Sequence, residues 1–353
     1  MLFLGAKAFA QNTCADGNDF LRIMKGGRAG YINTKGKVVI EPKFEAAGRF
    51  VDGMADVRIN GREGYINRLG EIVLKPQYRQ AGPFSEGLAA VQIPNGKCEV
   101  CSDWAYIDKA GRVVVLATSS DGKSIVGGTF SDGYTGFRLE DKPGDDIDKI
   151  TPYGFMARNG EIMKAKFGLT GGFSEGLAYV VRDFMRRTGF GYVNTKGEMV
   201  IEPRFSTAYD FREGLAEVEL NGRWGFIDKT GKFVVEPQFE FVRAFHEGYA
   251  VVRVNGKYGY IDKTGHFVIE PQFAWSWDFS EGMAAAELNG KYGFIDKQGK
   301  FVIPPKFERV DDSGFSCGVA RVFESNYFIR LLEGPLKIGY IDTKGRYIWK
   351  PSY

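Results

Sequence analysis

Histidine is almost missing from this chain: there are two among 353 residues, His246 and His266. Each stands where sibling stretches carry ordinary surface residues, Ser for the first and Lys for the second. A Ser/His/Asp triad and a histidine-built metal centre are therefore not expected. Cysteine is also sparse, four in all, which excludes a disulfide-dense scaffold. Cys98 and Cys101 form a C-x-x-C with no second pair and no nearby histidine, so it reads as a small disulfide clipping a loop, with free thiols as the alternative. Cys317 reads only as a replacement for a recurring glutamate. No apolar run approaches the ~20 residues needed to span a bilayer as a helix. Nor does one sign of charge dominate: 47 Lys and Arg face 44 Asp and Glu without like-charge blocks. A nucleic-acid partner is not expected from that balance.

The first residues carry a short apolar stretch, Leu2 to Ala10, ending in Ala8-Phe9-Ala10 before Gln11. It has the cleavage pattern of an export signal but no basic n-region. We read residues 1–19 as the remnant of an export signal and leader, with a frayed apolar terminus as the alternative. Residues 20–353 then form a single domain. A periplasmic, outer-surface or secreted location is the expectation.

What the chain has in abundance is glycine, 47 residues, and aromatics, 14%. These are arranged periodically. Asn221-Gly-Arg-Trp-Gly-Phe-Ile-Asp-Lys-Thr-Gly231 returns as Asn255-Gly-Lys-Tyr-Gly-Tyr-Ile-Asp-Lys-Thr-Gly265 and again from Asn289 to Gly299. The repeat glycines Gly225, Gly259 and Gly293 are 34 residues apart. Such a fixed period marks an array of one supersecondary unit. Within a unit, Asn-Gly between β-branched and aromatic runs predicts a type I′ hairpin, which needs positive φ at both central residues. Asp262-Lys-Thr-Gly265 predicts a type I turn closed by a left-handed glycine. Pro271 ends the following strand, and a neighbouring aromatic ring is expected against Gly259. No segment has a helical period.

The units continue through junctions such as Phe84-Ser-Glu-Gly87 and Phe245-His-Glu-Gly248, about nine units in all. Residues 94–183 are irregular, and 323–336 are an insertion. The predicted class is all-β, with tandem repeats of about 34 residues. Each has three to four short antiparallel strands, and together they form a β-propeller-like ring. The alternative is an open β-solenoid, a spiral of hairpin units. A short fourth strand is required of the connector Phe239–Phe245.

Read together, the Asn-Gly-Lys-Tyr-Gly-Tyr-Ile-Asp-Lys-Thr-Gly phrase and the Phe-Ser-Glu-Gly-Met-Ala junction resemble the bacterial WG-repeat family. The Trp-Gly pair is literal only at Trp224-Gly225, and Trp104 is followed by Ala105. The resemblance implies a repeat fold and brings no catalytic motif, cofactor or metal site. Because Glu86, Glu175, Glu213, Glu247 and Glu281 recur at one junction position, they are expected to satisfy turns. Asp145-Asp-Ile-Asp148 lacks the ligand alternation of a calcium loop.

Function is grafted where the repeat is broken. Trp275 and Trp277 replace small connector residues, and with Trp104 they are the candidate binding residues. The loop 95–104, the segment 117–149 and the insertion 323–336 are candidate surfaces. The leading expectation is a non-enzymatic binding or scaffold module for a protein or cell-envelope glycan. Two alternatives stand beside it: a hydrolase whose site is built from non-repeat Asp, Glu or Arg, and a self-associating structural component.

Overall fold

The computed structural model describes residues 20–94, 102–117, 125–139, 153–164, 169–183, 188–323 and 338–352. Among these residues there is no helix, and the strands form nine small antiparallel sheets. The leader at 1–19, Cys98, Cys101, Asp145 to Asp148 and residues 324–336 of the insertion lie outside them. The described residues fall into two compact units. One comprises 43–210; the other comprises 20–42 with 211–352.

The seventh sheet shows how the repeat folds. Its strands are Phe241–Val242, Tyr249–Val254, Lys257–Asp262 and Phe267–Phe273, hydrogen-bonded in that order. The connector does supply the short first strand, only two residues long. Asn255 and Gly256 take φ of 49° and 73°, as a type I′ turn demands. Gly265 takes φ 87°, and its N–H donates to the Asp262 carbonyl at 3.0 Å. The Asp262 carboxylate accepts from the Thr264 and His266 amides at 2.9 and 3.1 Å, so the side chain holds the turn closed.

Gly259 is required for a reason other than the one expected. A Cβ there would meet the Ile269 carbonyl oxygen at 2.5 Å and the Pro271 nitrogen at 2.7 Å. The neighbour is backbone, not an aromatic ring. Pairing runs Tyr258↔Phe273 and then Tyr260↔Ile269, so the Glu-Pro segment bulges toward the glycine. Gly225 and Gly293 face the same bulge at Val235 and Ile303. The third sheet confirms the rule by exception. Its last strand, Val113–Leu116, carries no Glu-Pro bulge and pairs Leu116 directly with Ala105, so a Cβ fits there.

Within each unit the described cores lie between consecutive sheets. Phe226, Val235 and Phe239 of the sixth pack on Phe245, Ala250 and Ile261 of the seventh. The ring after each repeat glycine (Phe226, Tyr260, Phe294) is fully buried. The ring before it is less enclosed at Trp224 and Tyr292. In the second unit the first sheet packs against the last, Ile23 and Ile32 with Val319 and Tyr340. The Tyr340 hydroxyl donates to the Arg22 carbonyl at 2.6 Å across 318 residues of sequence. An open spiral would hold those sheets at opposite ends, so the architecture is a β-propeller.

The junction glutamates act on the next repeat, not on their own turn. Glu213 accepts from the Gly248 amide at 3.0 Å, Glu247 from Gly282 at 3.1 Å and Glu281 from Gly318 at 2.8 Å. Asp52 to Gly87 and Asp132 to Gly176 repeat the contact in the first unit. Burial alone would raise the Glu213 pKa, but bonds from Lys263 and Gly248 hold it below its ordinary value of 4.5. A depressed carboxylate stabilises the fold above its unfolded pKa and loses that contribution as pH falls through the folded one. Urea midpoints should therefore drop as pH is lowered from about 4.5, the ordinary glutamate value. Glu213→Gln should cost about 1 kcal/mol at pH 7 and reduce that slope. An unchanged slope in the variant would show that Glu213 does not link the repeats.

Candidate functional site

Among the described residues, two places stand out against the repeat, one in each unit. In the first, a cavity of ≈ 320 Å³ opens beside Trp104. One wall is the connector Gln80 to Pro83, another is Gly128 and Thr129 from the next connector, and the strands supply Leu88, Ala90 and Tyr106. Tyr106 and Leu88 are buried at its floor, Trp104 is half-buried, and Gln80, Pro83, Gly128 and Thr129 are exposed at its mouth. None of these side chains is charged. The Tyr106 hydroxyl donates to the Gly128 carbonyl at 2.9 Å, and burial pushes its pKa up to about 12. It is not an acid or base near neutral pH.

The cavity has a simple origin in residue size. Among the described residues, six repeats show the connector amide donating to the carbonyl of a facing residue on the next strand. The pairs are Gly48 with Asp56, Gly82 with Ala90, Gly128 with Gly136, Gly171 with Tyr179, Arg243 with Val251 and Trp277 with Ala285. In four of them one partner is bulky and occupies the space the other leaves. A Cβ on Gly171 would meet the Tyr179 ring at 2.3 Å, and one on Gly48 the Asp56 carboxylate at 2.0 Å. Around Gly82 the nearest atom is a backbone oxygen at 3.5 Å, and around Gly128 it is the Thr135 hydroxyl at 3.8 Å. Two successive pairs are small on both sides, and the space stays open.

In the second unit the same positions are full. Arg243 lies over Trp277, 4.8 Å from the ring centroid, and donates to Asp278 through Nε at 2.7 Å and Nη2 at 2.9 Å. Trp275 sits against Tyr258 at 4.8 Å and Trp277 at 5.7 Å between centroids. Trp275 and Trp277 are both half-buried and packed into this layer. His246 Nε2 lies 3.6 Å from Asp278 and 3.3 Å from Arg212. Burial lowers the His246 pKa below its ordinary value of 6.5, so at neutral pH its contact with Asp278 is not an ion pair. Arg243 and Asp278 thus converge outside the repeat pattern, with the guanidinium already clasped by the carboxylate.

Of the three tryptophans singled out by sequence, the structure brings Trp275 and Trp277 together and places Trp104 at the cavity. Sequence reasoning missed Gly82, Ala90 and Gly128, whose signal is joint smallness at facing positions. Cys317 is disulfide-bonded, which its place in a junction did not suggest. Among the described residues no group of His, Cys, Asp or Glu is arranged to hold a metal ion. No helix among them is long and apolar enough to cross a membrane.

Comparison with solved structures agrees on the fold. A structure titled "Crystal structure of the eukaryotic initiation factor" superposes with TM-score 0.62 at 11% identity, covering 93% of this chain and 94% of that one. Prolyl oligopeptidase B from Galerina marginata matches at TM-score 0.42 and 11% identity, over 84% of this chain and 55% of its own. At such identities the first likeness speaks for the fold alone. Comparison of the sequence with curated proteins finds no match. Six segments, residues 30–62, 64–98, 190–224, 224–258, 258–292 and 292–328, match the family described as WG containing repeat. With the bulge-facing glycines and the hairpin turns already in place, the chain belongs to the WG containing repeat family.

Proposed function

We propose that this protein is a non-catalytic binding module that presents a β-repeat surface to another macromolecule outside the cytoplasm. The observation that carries the reading is the cavity beside Trp104. It is a recess of ligand size, walled by an indole, small aliphatic groups, one amide and one hydroxyl, and its one titratable side chain is already hydrogen-bonded. Such a lining offers contact area and orientation but no proton transfer or nucleophile at neutral pH. Export is supported by the apolar leader-like stretch ending in Ala8-Phe9-Ala10 and by the Cys317 disulfide, a bond that persists in oxidising compartments.

The cluster of Arg212, Arg243, His246 and Asp278 favours a second reading, a hydrolase acting in the second unit. Screening the purified chain against hydrolase substrates, and against envelope glycans and proteins for binding, separates the two. Specific binding without turnover is expected. Turnover that disappears in His246→Ala or Asp278→Asn would end the binding-module reading.

A further inference from the structure

Building on the binding-module reading, we propose that the cavity beside Trp104 receives a neutral aromatic side chain, tyrosine or tryptophan, from a partner protein. The argument comes from what fills the corresponding place in sibling repeats. In the fifth sheet Tyr179 turns its ring onto Gly171, the counterpart of Gly82. In the second unit Trp277, the counterpart of Gly128, lies under Arg243, which is held by Asp278. The fold thus has a slot between consecutive connectors that its own sequence fills with a planar group. The third repeat leaves it empty because Gly82, Ala90 and Gly128 are small together.

The lining narrows the class of guest. Thr129 stands where Asp278 stands in the second unit, so an incoming guanidinium would lose the carboxylate that compensates its desolvation. No basic side chain lines the cavity to receive a phosphate or carboxylate. A pyranose would bring several hydroxyls, and the two connector carbonyls are already engaged. Tyr65 donates to Gly82 at 2.7 Å and Tyr106 to Gly128 at 2.9 Å. What remains is an aromatic-faced space with the Gln80 amide and Thr129 hydroxyl at its mouth. That combination suits one ring carrying a single polar atom.

The test uses the full chain and calorimetric titration with N-acetyltyrosinamide and 3-methylindole, with methylguanidine and methyl glucoside as comparisons. Both ring compounds should bind at one shared site with Kd on the order of 1 mM, a few kcal/mol for a small planar ligand. Ala90→Tyr, which copies the Gly171 and Tyr179 arrangement, should weaken them at least tenfold while the melting temperature holds or rises. Trp104→Ala should weaken them similarly and serves as the second variant if Ala90→Tyr folds poorly. Absence of ring binding, or undiminished binding in folded variants, overturns the proposal. Methyl glucoside or methylguanidine bound there and displaced by Ala90→Tyr also overturns it, while leaving the binding-module reading intact. Turnover lost on His246→Ala would instead sink that reading and not the guest class.

Discussion

Valine in place of Gly259 is expected to destabilise the protein by about 3 kcal/mol or more, at the upper end for overpacked sites. The first atom beyond the glycine Cα would lie 2.5 Å from the Ile269 oxygen, 2.7 Å from the Pro271 nitrogen and 2.9 Å from the Glu270 carbonyl carbon. All three belong to backbone, so no side chain can swing away to make room. Relief would require the Glu-Pro bulge to straighten, and that would pull Phe273 out of register with Tyr258. The same argument makes Ala105→Gly nearly silent, below about 1 kcal/mol, the usual penalty for glycine in place of alanine. Denaturant midpoints of the two variants should differ widely. Similar midpoints would mean that the glycine serves the repeat in some way other than close approach of the bulge.

Alanine in place of Phe279 is expected to cost about 3–5 kcal/mol, the usual range for removing a large buried ring. Phe279 is 1% exposed, with Tyr260 at 4.8 Å and Tyr249 at 5.4 Å between ring centroids. It lies in the core shared by the seventh and eighth sheets, with Ile269, Phe273 and Ala284. Its neighbours are strands held by their own ladders and so collapse little into the space left behind. Phe267 is the internal comparison. It is 39% exposed, and its alanine variant should lose under about 1 kcal/mol, in line with a ring that keeps much of its contact with water. Thermal melts decide the matter, and equal losses at the two positions would contradict the assignment of the core to the space between sheets.

The architecture was legible because the turns announce themselves. Asn255-Gly256 and Asp262-Lys-Thr-Gly265 force backbone conformations that few residues adopt, and those conformations set the hairpins. Propeller or spiral was harder to decide, because a 34-residue unit is short for four strands. The first strand is only two residues long, Phe241–Val242, and so leaves hardly a periodic trace. Gly259 was recognised as a point of close approach but given the wrong neighbour, since the bulge at Glu270-Pro271 depends on register between strands, which sequence period alone does not display.

The site was half legible. Trp104 drew notice as an oddity in its repeat, whereas Gly82 and Ala90 looked ordinary when read singly. Their meaning lies in the pair. One small residue facing one large residue fills space, and two small residues facing each other leave it open. That signal is in the sequence once the hydrogen-bonded partners are known, as with Gly171 and Tyr179. The Glu213 to Gly248 contact likewise joins residues 35 apart, one repeat onward, and could not be read within a single turn.

A crystal of the full chain grown with N-acetyltyrosinamide tests the central claim most directly. The ring should occupy the recess between the Gly82 and Gly128 connectors, next to the Trp104 indole. A recess closed over by a neighbouring side chain, or a ligand seated only at the Arg243 and Asp278 cluster, would contradict it.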